Sequence, residues 1–255
     1  MNDIKSSRGS EVEVKNKLLQ FYFNKFFNEI LISNYENDVY LFNLFSVGSN
    51  HENIEISSSI VFLQCIKKMH TEMVKTSRKF LKVNSFFNDA DISEIIKLSQ
   101  VIYKNEYHSL ELGKISFVCK NYRHALNETI EQIKKSGNIK AFVFIDPFDY
   151  KDVRMNDIKN LISNSSVEVL LYLPCKNMFT INENGIREPI YQFINEIIPT
   201  EQWPLKEPSV NFINILSEAF KTAIGTDYLL ERFVNRIGKD QYCCFFSFKH
   251  LEINV

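Results

Sequence analysis

Short apolar runs alternate with segments of helical spacing, and this alternation constrains the fold more than any other feature of the chain. The runs are Val39–Val47 (VYLFNLFSV), Phe80–Phe87 (FLKVNSFF), Lys114–Cys119 (KISFVC), Ala141–Ile145 (AFVFI) and Val167–Leu173 (VEVLLYL). Between them Ile60–Met73, Ile92–Tyr103, Arg123–Lys135 and Met155–Ile162 carry apolar residues at helical spacing. The middle runs are apolar at successive positions, as strands covered on both faces must be. The pattern predicts an α/β fold with a doubly wound, mostly parallel, Rossmann-like sheet of six or seven strands. Tyr242–Phe248 (YCCFFSF) supplies a last strand, expected to be antiparallel.

The remaining segments complete the outline. Residues 1–10 (MNDIKSSRGS) are polar and read as a flexible tail, and residues 11–255 as one domain. Glu11–Asn34 reads as a long amphipathic helix, with Leu18, Leu19, Tyr22, Phe23, Phe26, Phe27, Ile30 and Leu31 at helical spacing. Ser57, Ser58 and Ser59 are placed to cap the helix that follows, and Asp91 to cap the one at Ile92. After Pro174, helices are expected around Pro189–Ile198, Val210–Ala223 and Asp227–Ile237. Only 7 glycines and 6 prolines occur, which disfavours a sandwich with many tight turns.

Composition narrows the function. Lys plus Arg total 30 against 31 Asp plus Glu, so the net charge of -1 excludes a polybasic coat for nucleic acid while leaving a local basic groove open. The basic residues Lys134, Lys135, Lys140, Lys151 and Arg154 are the candidates for such a path, with a solvated face as the plainer reading. The 5 cysteines are scattered and form no CxxC pair, and the histidines are equally dispersed, so no metal site is expected. Buried free thiols fit a reducing, cytoplasmic setting. No apolar run approaches the roughly 18 residues of a membrane span. His70 and His124 fall in helices and read as surface or half-buried residues, and Cys243-Cys244 as core packing in the last strand. The aromatic helix Gln20–Phe27 reads mainly as core, with a partner surface as the sharper alternative.

In a sheet of this kind ligands bind beyond the carboxyl ends of the strands. The candidate positions are therefore Asn43–Asn50, Asn88-Asp89, Asn121-Tyr122, Asp146–Tyr150 and Pro174–Asn177. The most informative string is Phe142–Tyr150 (FVFIDPFDY). Pro147 ends the strand and holds Asp146 extended, so that its carboxylate can accept from an amino group while Phe148 stacks on a flat ring. The plainer reading makes Asp146 a cap for the turn Phe148–Lys151.

These residues carry a resemblance. The order of elements resembles that of class I S-adenosylmethionine-dependent methyltransferases. FVFIDPFDYKDVRMNDIKNLISNSSVEVLLYL is similar to the corresponding stretch of the three-Cys-motif partner protein (TcmP) family, which reads FIDPFG-Y-G at this place. KNKLLQFYFNKF, VYLFNLFSVGSN and YCCFFSFKH sit where that family has its counterparts. The resemblance covers most of Leu18–His250 and is strongest at Ala141–Leu173.

It implies a methyltransferase-like protein acting on nucleic acid in a phage-related setting, with S-adenosylmethionine as cofactor. Asp146, Pro147 and Phe148 would hold the acceptor base. Asn43, Gly48, Asn88, Asp89 and Asn121 would line the cofactor. The family's first motif is similar to YIDLFAGPG; here LFNLFSVGS puts Asn43 at the acid, Val47 at the first glycine and Ser49 at the second. Asp149 replaces the glycine after DPF. The lost glycines imply an alternative: a non-catalytic subunit that keeps the fold and binds a protein or nucleic-acid partner in a phage-related or defence complex. In that case Val47 fills the pocket.

Overall fold

The structure is a computed structural model that describes residues 2–33, 35–47, 54–75, 81–137, 139–147, 152–174, 189–198, 210–236 and 242–250. Its elements run α1 (Asn2–Ile32), β1 (Val39–Asn43), α2 (Ser58–Lys75), β2 (Val83–Asp89), α3 (Ile92–Lys104), β3 (Ile115–Cys119), α4 (Tyr122–Ser136), β4 (Lys140–Ile145), α5 (Met155–Ile162), β5 (Val167–Pro174), α6 (Pro189–Asn195), α7 (Val210–Ile224), β6 (Tyr228–Arg236) and β7 (Tyr242–His250). The strands form a seven-stranded sheet in the order β3-β2-β1-β4-β5-β7-β6. β1, β2, β3 and β4 run parallel, and β7 is antiparallel to both β5 and β6. This is the expected methyltransferase-like α/β architecture, with the Ala141–Ile145 run inside the sheet.

Two compact units divide the chain: Lys15–Asp146, and Met1–Val14 together with Pro147–Val255. Residues 2–10, read from the sequence as a tail, belong to α1. In the Lys15–Asp146 unit the aromatic face of α1 covers β4. Phe23 meets Phe142 edge-on at 5.3 Å and Phe62 of α2 at 4.8 Å, and Phe26 lies 5.1 Å from Phe142. Tyr22, Phe23, Phe26 and Phe27 are all buried, and only Phe21 of that cluster is exposed, at 59%. The helix is therefore core rather than the contact surface that the binding-subunit reading expects of it. Each such ring contributes about 1.5–3 kcal/mol by burial.

Local chemistry sets the element ends. Asp91 accepts from the Ser93 amide at 2.8 Å and caps α3. Asn121 accepts from His124 N at 3.0 Å and caps α4. Gly113 opens β3 with φ +126°, and a Cβ there would lie 2.3 Å from the Val83 carbonyl oxygen, so only glycine fits.

In the other unit β5, β7 and β6 form an antiparallel ladder, and Phe220 of α7 packs on Phe246 and Phe248 of β7 at 4.9 and 5.3 Å. The segment expected as a helix at Asp227–Ile237 is instead strand β6, paired with β7 from Tyr228↔His250 to Arg236↔Tyr242. Pairing with a later strand overrides the local helical spacing. Arg232 reaches back to α7, donating to Asn214 Oδ1 at 2.7 Å and Ser217 Oγ at 3.0 Å.

Candidate functional site

The order of strands reverses at β1, which has β2 on one side and β4 on the other. Ligands of such sheets bind outside the carboxyl ends at this switch point. Asn43, the last residue of β1, is fully buried. Its Nδ2 donates to Ser58 Oγ at 2.9 Å and Ser59 Oγ at 3.0 Å. Ser59 Oγ donates to the Ser46 carbonyl at 2.9 Å, and Ser46 Oγ to the Asn43 carbonyl at 3.1 Å. The serines at the start of α2 thus fasten the turn after β1. Ser57, the residue before α2, does not cap it with its side chain, because its Oγ is buried without a hydrogen-bond partner.

Asn88 joins three strand ends. Its Nδ2 donates to the Leu44 carbonyl at 3.1 Å and the Lys120 carbonyl at 3.0 Å, and its Oδ1 accepts from Lys120 N at 3.1 Å. Asp89, the half-buried last residue of β2, accepts from Val47 N at 3.3 Å and from Asp91 N at 3.1 Å. Val47 itself is 2% exposed. Asn121 is exposed and engaged as the cap of α4.

At the end of β4, Asp146 is 4% exposed and Pro147 is buried. The Asp146 carboxylate pairs with Lys15 Nζ of α1 at 2.5 Å, both side chains being about as deeply buried. Nothing in the sequence marked Lys15, which stands at the polar edge of an otherwise aromatic helix; its only signal is that a lysine falls one turn before the buried stripe. Gly48 and Phe148, and the turn Phe148–Lys151 that Asp146 was expected to cap, lie outside the described residues.

Chemically, these residues form a polar layer whose groups are largely engaged with one another and with the backbone. The fit to S-adenosylmethionine can be tested on them. In favour, Asn43 Oδ1 is a buried acceptor without a hydrogen-bond partner, and Asp89 offers a carboxylate at the strand end that the resemblance assigns to the ribose hydroxyls. Against, Val47 puts a packed side chain where the resembled family has a glycine, and its N–H is already donated to Asp89. Asn88 and Asp146 are engaged within the chain. The described residues do not fit the cofactor as a set.

The remaining candidates are ordinary. Lys135 faces Glu131 at 3.4 Å, Arg154 pairs with Glu196 at 3.1 Å, and Lys140 N donates to Tyr35 Oη at 2.9 Å, while Lys151 lies outside the described residues. His124 is exposed and His70 half-buried. Cys65 and Cys244 are buried whereas Cys119 is exposed, and burial pushes the Cys65 thiol up to about 11. Among the described residues no group of side chains could hold a metal ion, and no helix is long and apolar enough to cross a membrane.

No protein-family model and no curated protein matches the chain. The resemblance to the TcmP family therefore rests on the quoted residues alone. Among solved structures the chain is similar to the methyltransferase domain of bacterial CtHen1-CN, at 11% identity over 88% of this chain and 97% of that one, with a TM-score of 0.41. It is similar also to the methyltransferase domain of bacterial CtHen1-C, at 12% identity over 88% and 96%, with a TM-score of 0.37.

Proposed function

We propose that this chain is a methyltransferase-fold protein whose strand ends have become a closed polar core, and that it works as a non-catalytic subunit for a protein or nucleic-acid partner. The observation that carries this reading is the buried Lys15–Asp146 pair at 2.5 Å. A carboxylate that is to accept from a substrate amino group has to be reachable and lightly held. This one is desolvated and already neutralised, and moving the ammonium away would leave a buried charge at a cost of several kcal/mol. The phage-related or defence setting belongs to this proposal through the resemblance to the TcmP family.

A second reading has its own support. Asp89 and the unpartnered Asn43 Oδ1 suit the ribose and ammonium of S-adenosylmethionine, which favours a methyltransferase, with nucleic acid as its target through the resemblance to the TcmP family. Calorimetry with S-adenosylmethionine and its demethylated product separates the two. The binding-subunit reading expects no heat up to millimolar ligand. Micromolar binding, lost in Asp89→Ala, would establish the second reading instead.

A further inference from the structure

β3 ends the strand order and has β2 as its neighbour. The Lys114 carbonyl accepts from Ser85 N at 2.8 Å. A parallel ladder bonds through alternate residues, so Ile115, Phe117 and Cys119 turn their N–H and C=O groups away from β2. Natural proteins blunt such an edge with charges, proline or a bulge. β3 reads ISFVC, without charge or proline, and none of its residues is buried.

A second apolar stripe on α3 continues this edge. Ile95, Leu98 and Ile102 face the core, whereas Ile92, Ile96 and Tyr103 are 56%, 48% and 66% exposed. At about 100° per residue those three fall within roughly 40° of one another. The Tyr103 ring meets Phe117 at 6.2 Å, which joins the stripe to the strand. From Ile92 to Tyr103 the helix rises about 17 Å, the length of a five-residue strand.

The charges bracketing β3 select the occupant. Lys114, which is exposed, precedes the strand, and Lys120 follows it, paired with Glu128. Glu106 and Glu111 come earlier and are not part of the strand. A second copy added antiparallel about Phe117 would set Lys114 against Lys120 at both ends, and like charges directly opposite destabilise such a pair. We infer that the β3 edge and the exposed stripe of α3 receive an extended segment of a protein partner, apolar or β-branched at its centre and acidic at its ends, which adds a strand to the sheet. This goes beyond the proposed function, since it stands on the sheet edge and holds whether or not the strand ends bind a cofactor.

Hydrogen exchange on the full chain tests it, with two pools of capped nonapeptides as probes. Both carry Val, Ile or Thr at five central positions; one is flanked by Asp and Glu, the other by Lys and Arg. The acidic pool should slow exchange at Ile115, Phe117 and Cys119 by about tenfold or more, and the basic pool should not. Ile96→Asp, a substitution on an exposed position, should weaken the acidic pool about tenfold while exchange in β1 and β4 stays as it was. Equal protection by both pools, protection elsewhere, or none, overturns the inference. So does a dimer of the chain alone that Ile96→Asp dissolves, or protection of the same amides by oligouridylate. The calorimetric result with S-adenosylmethionine bears only on the strand ends, so the two proposals fail separately.

Discussion

Lys15 and Asp146 meet at 2.5 Å with side chains 4% and 5% exposed, at the two ends of one compact unit. A pair this deep adds little net stability, because desolvation offsets the attraction, but it costs much to break. Lys15→Met or Asp146→Ala alone should cost about 3–5 kcal/mol, because each takes the opposite charge away from a buried one. Lys15→Met with Asp146→Leu should recover most of that loss. Urea unfolding of the three variants checks this, and single variants within about 0.5 kcal/mol of the parent would mean that water reaches the pair.

Asn88 offers a sharper test, because its two ends do different work. Asn88→Asp preserves the shape but replaces the donor to the Leu44 and Lys120 carbonyls with an acceptor. Each buried carbonyl left unpaired costs about 1–3 kcal/mol. The aspartate variant should be the less stable at neutral pH and recover partly in acid, where its protonated form can donate again. Thermal melting at two pH values reads the difference.

Glu168 predicts the pH dependence of stability. Ser247 Oγ donates to its Oε1 at 3.0 Å, and burial pushes its carboxyl up to about 7, opposed by Lys249 and aided by Glu231. Against an ordinary 4.5, the folded chain keeps a proton that the unfolded chain has lost. Its contribution is complete below about pH 4.5 and is lost as pH rises through about 7, in all roughly 3 kcal/mol. Glu168→Gln should flatten that slope and raise the melting temperature at pH 8 but not at pH 4. An unchanged slope would contradict the assignment.

Thiol labelling should sort the described cysteines by environment. Cys119 is exposed, while the Cys65 thiol is buried and raised to about 11. Iodoacetamide at pH 8 should modify Cys119 in the folded chain and reach Cys65 only on unfolding. Mass spectrometry of timed digests distinguishes the two.

The fold was legible where periodicity is local. β1 to β5 and α2 to α5 fall on the apolar runs and helical stretches that predict them, since buried strands and amphipathic helices write their burial into the sequence. Tyr228–Arg236 was not legible. Its Leu229, Leu230, Phe233 and Val234 recur at helical spacing, and the strand exists because Tyr242–His250 pairs with it. The strand ends were legible as positions but not as partners. Asn43, Asn88, Asp89 and Asp146 all stand where the pattern put them. That a helix serine would take up Asn43, or that Lys15 would take up Asp146, depends on which side chains face one another after packing, and no local spacing carries that.

The two crossings between the compact units also set an order in time. Residues 15–146 are continuous, so every contact within that unit is available once Asp146 has left the ribosome. Residues 1–14 are made before residues 15–146 and belong with a unit whose other members begin at Pro147. At about 5–20 residues per second they wait on the order of ten seconds for those partners. During that interval the first turns of α1 are without the other members of their unit, so a nascent chain should present them to whatever else is in reach before its later strands arrive.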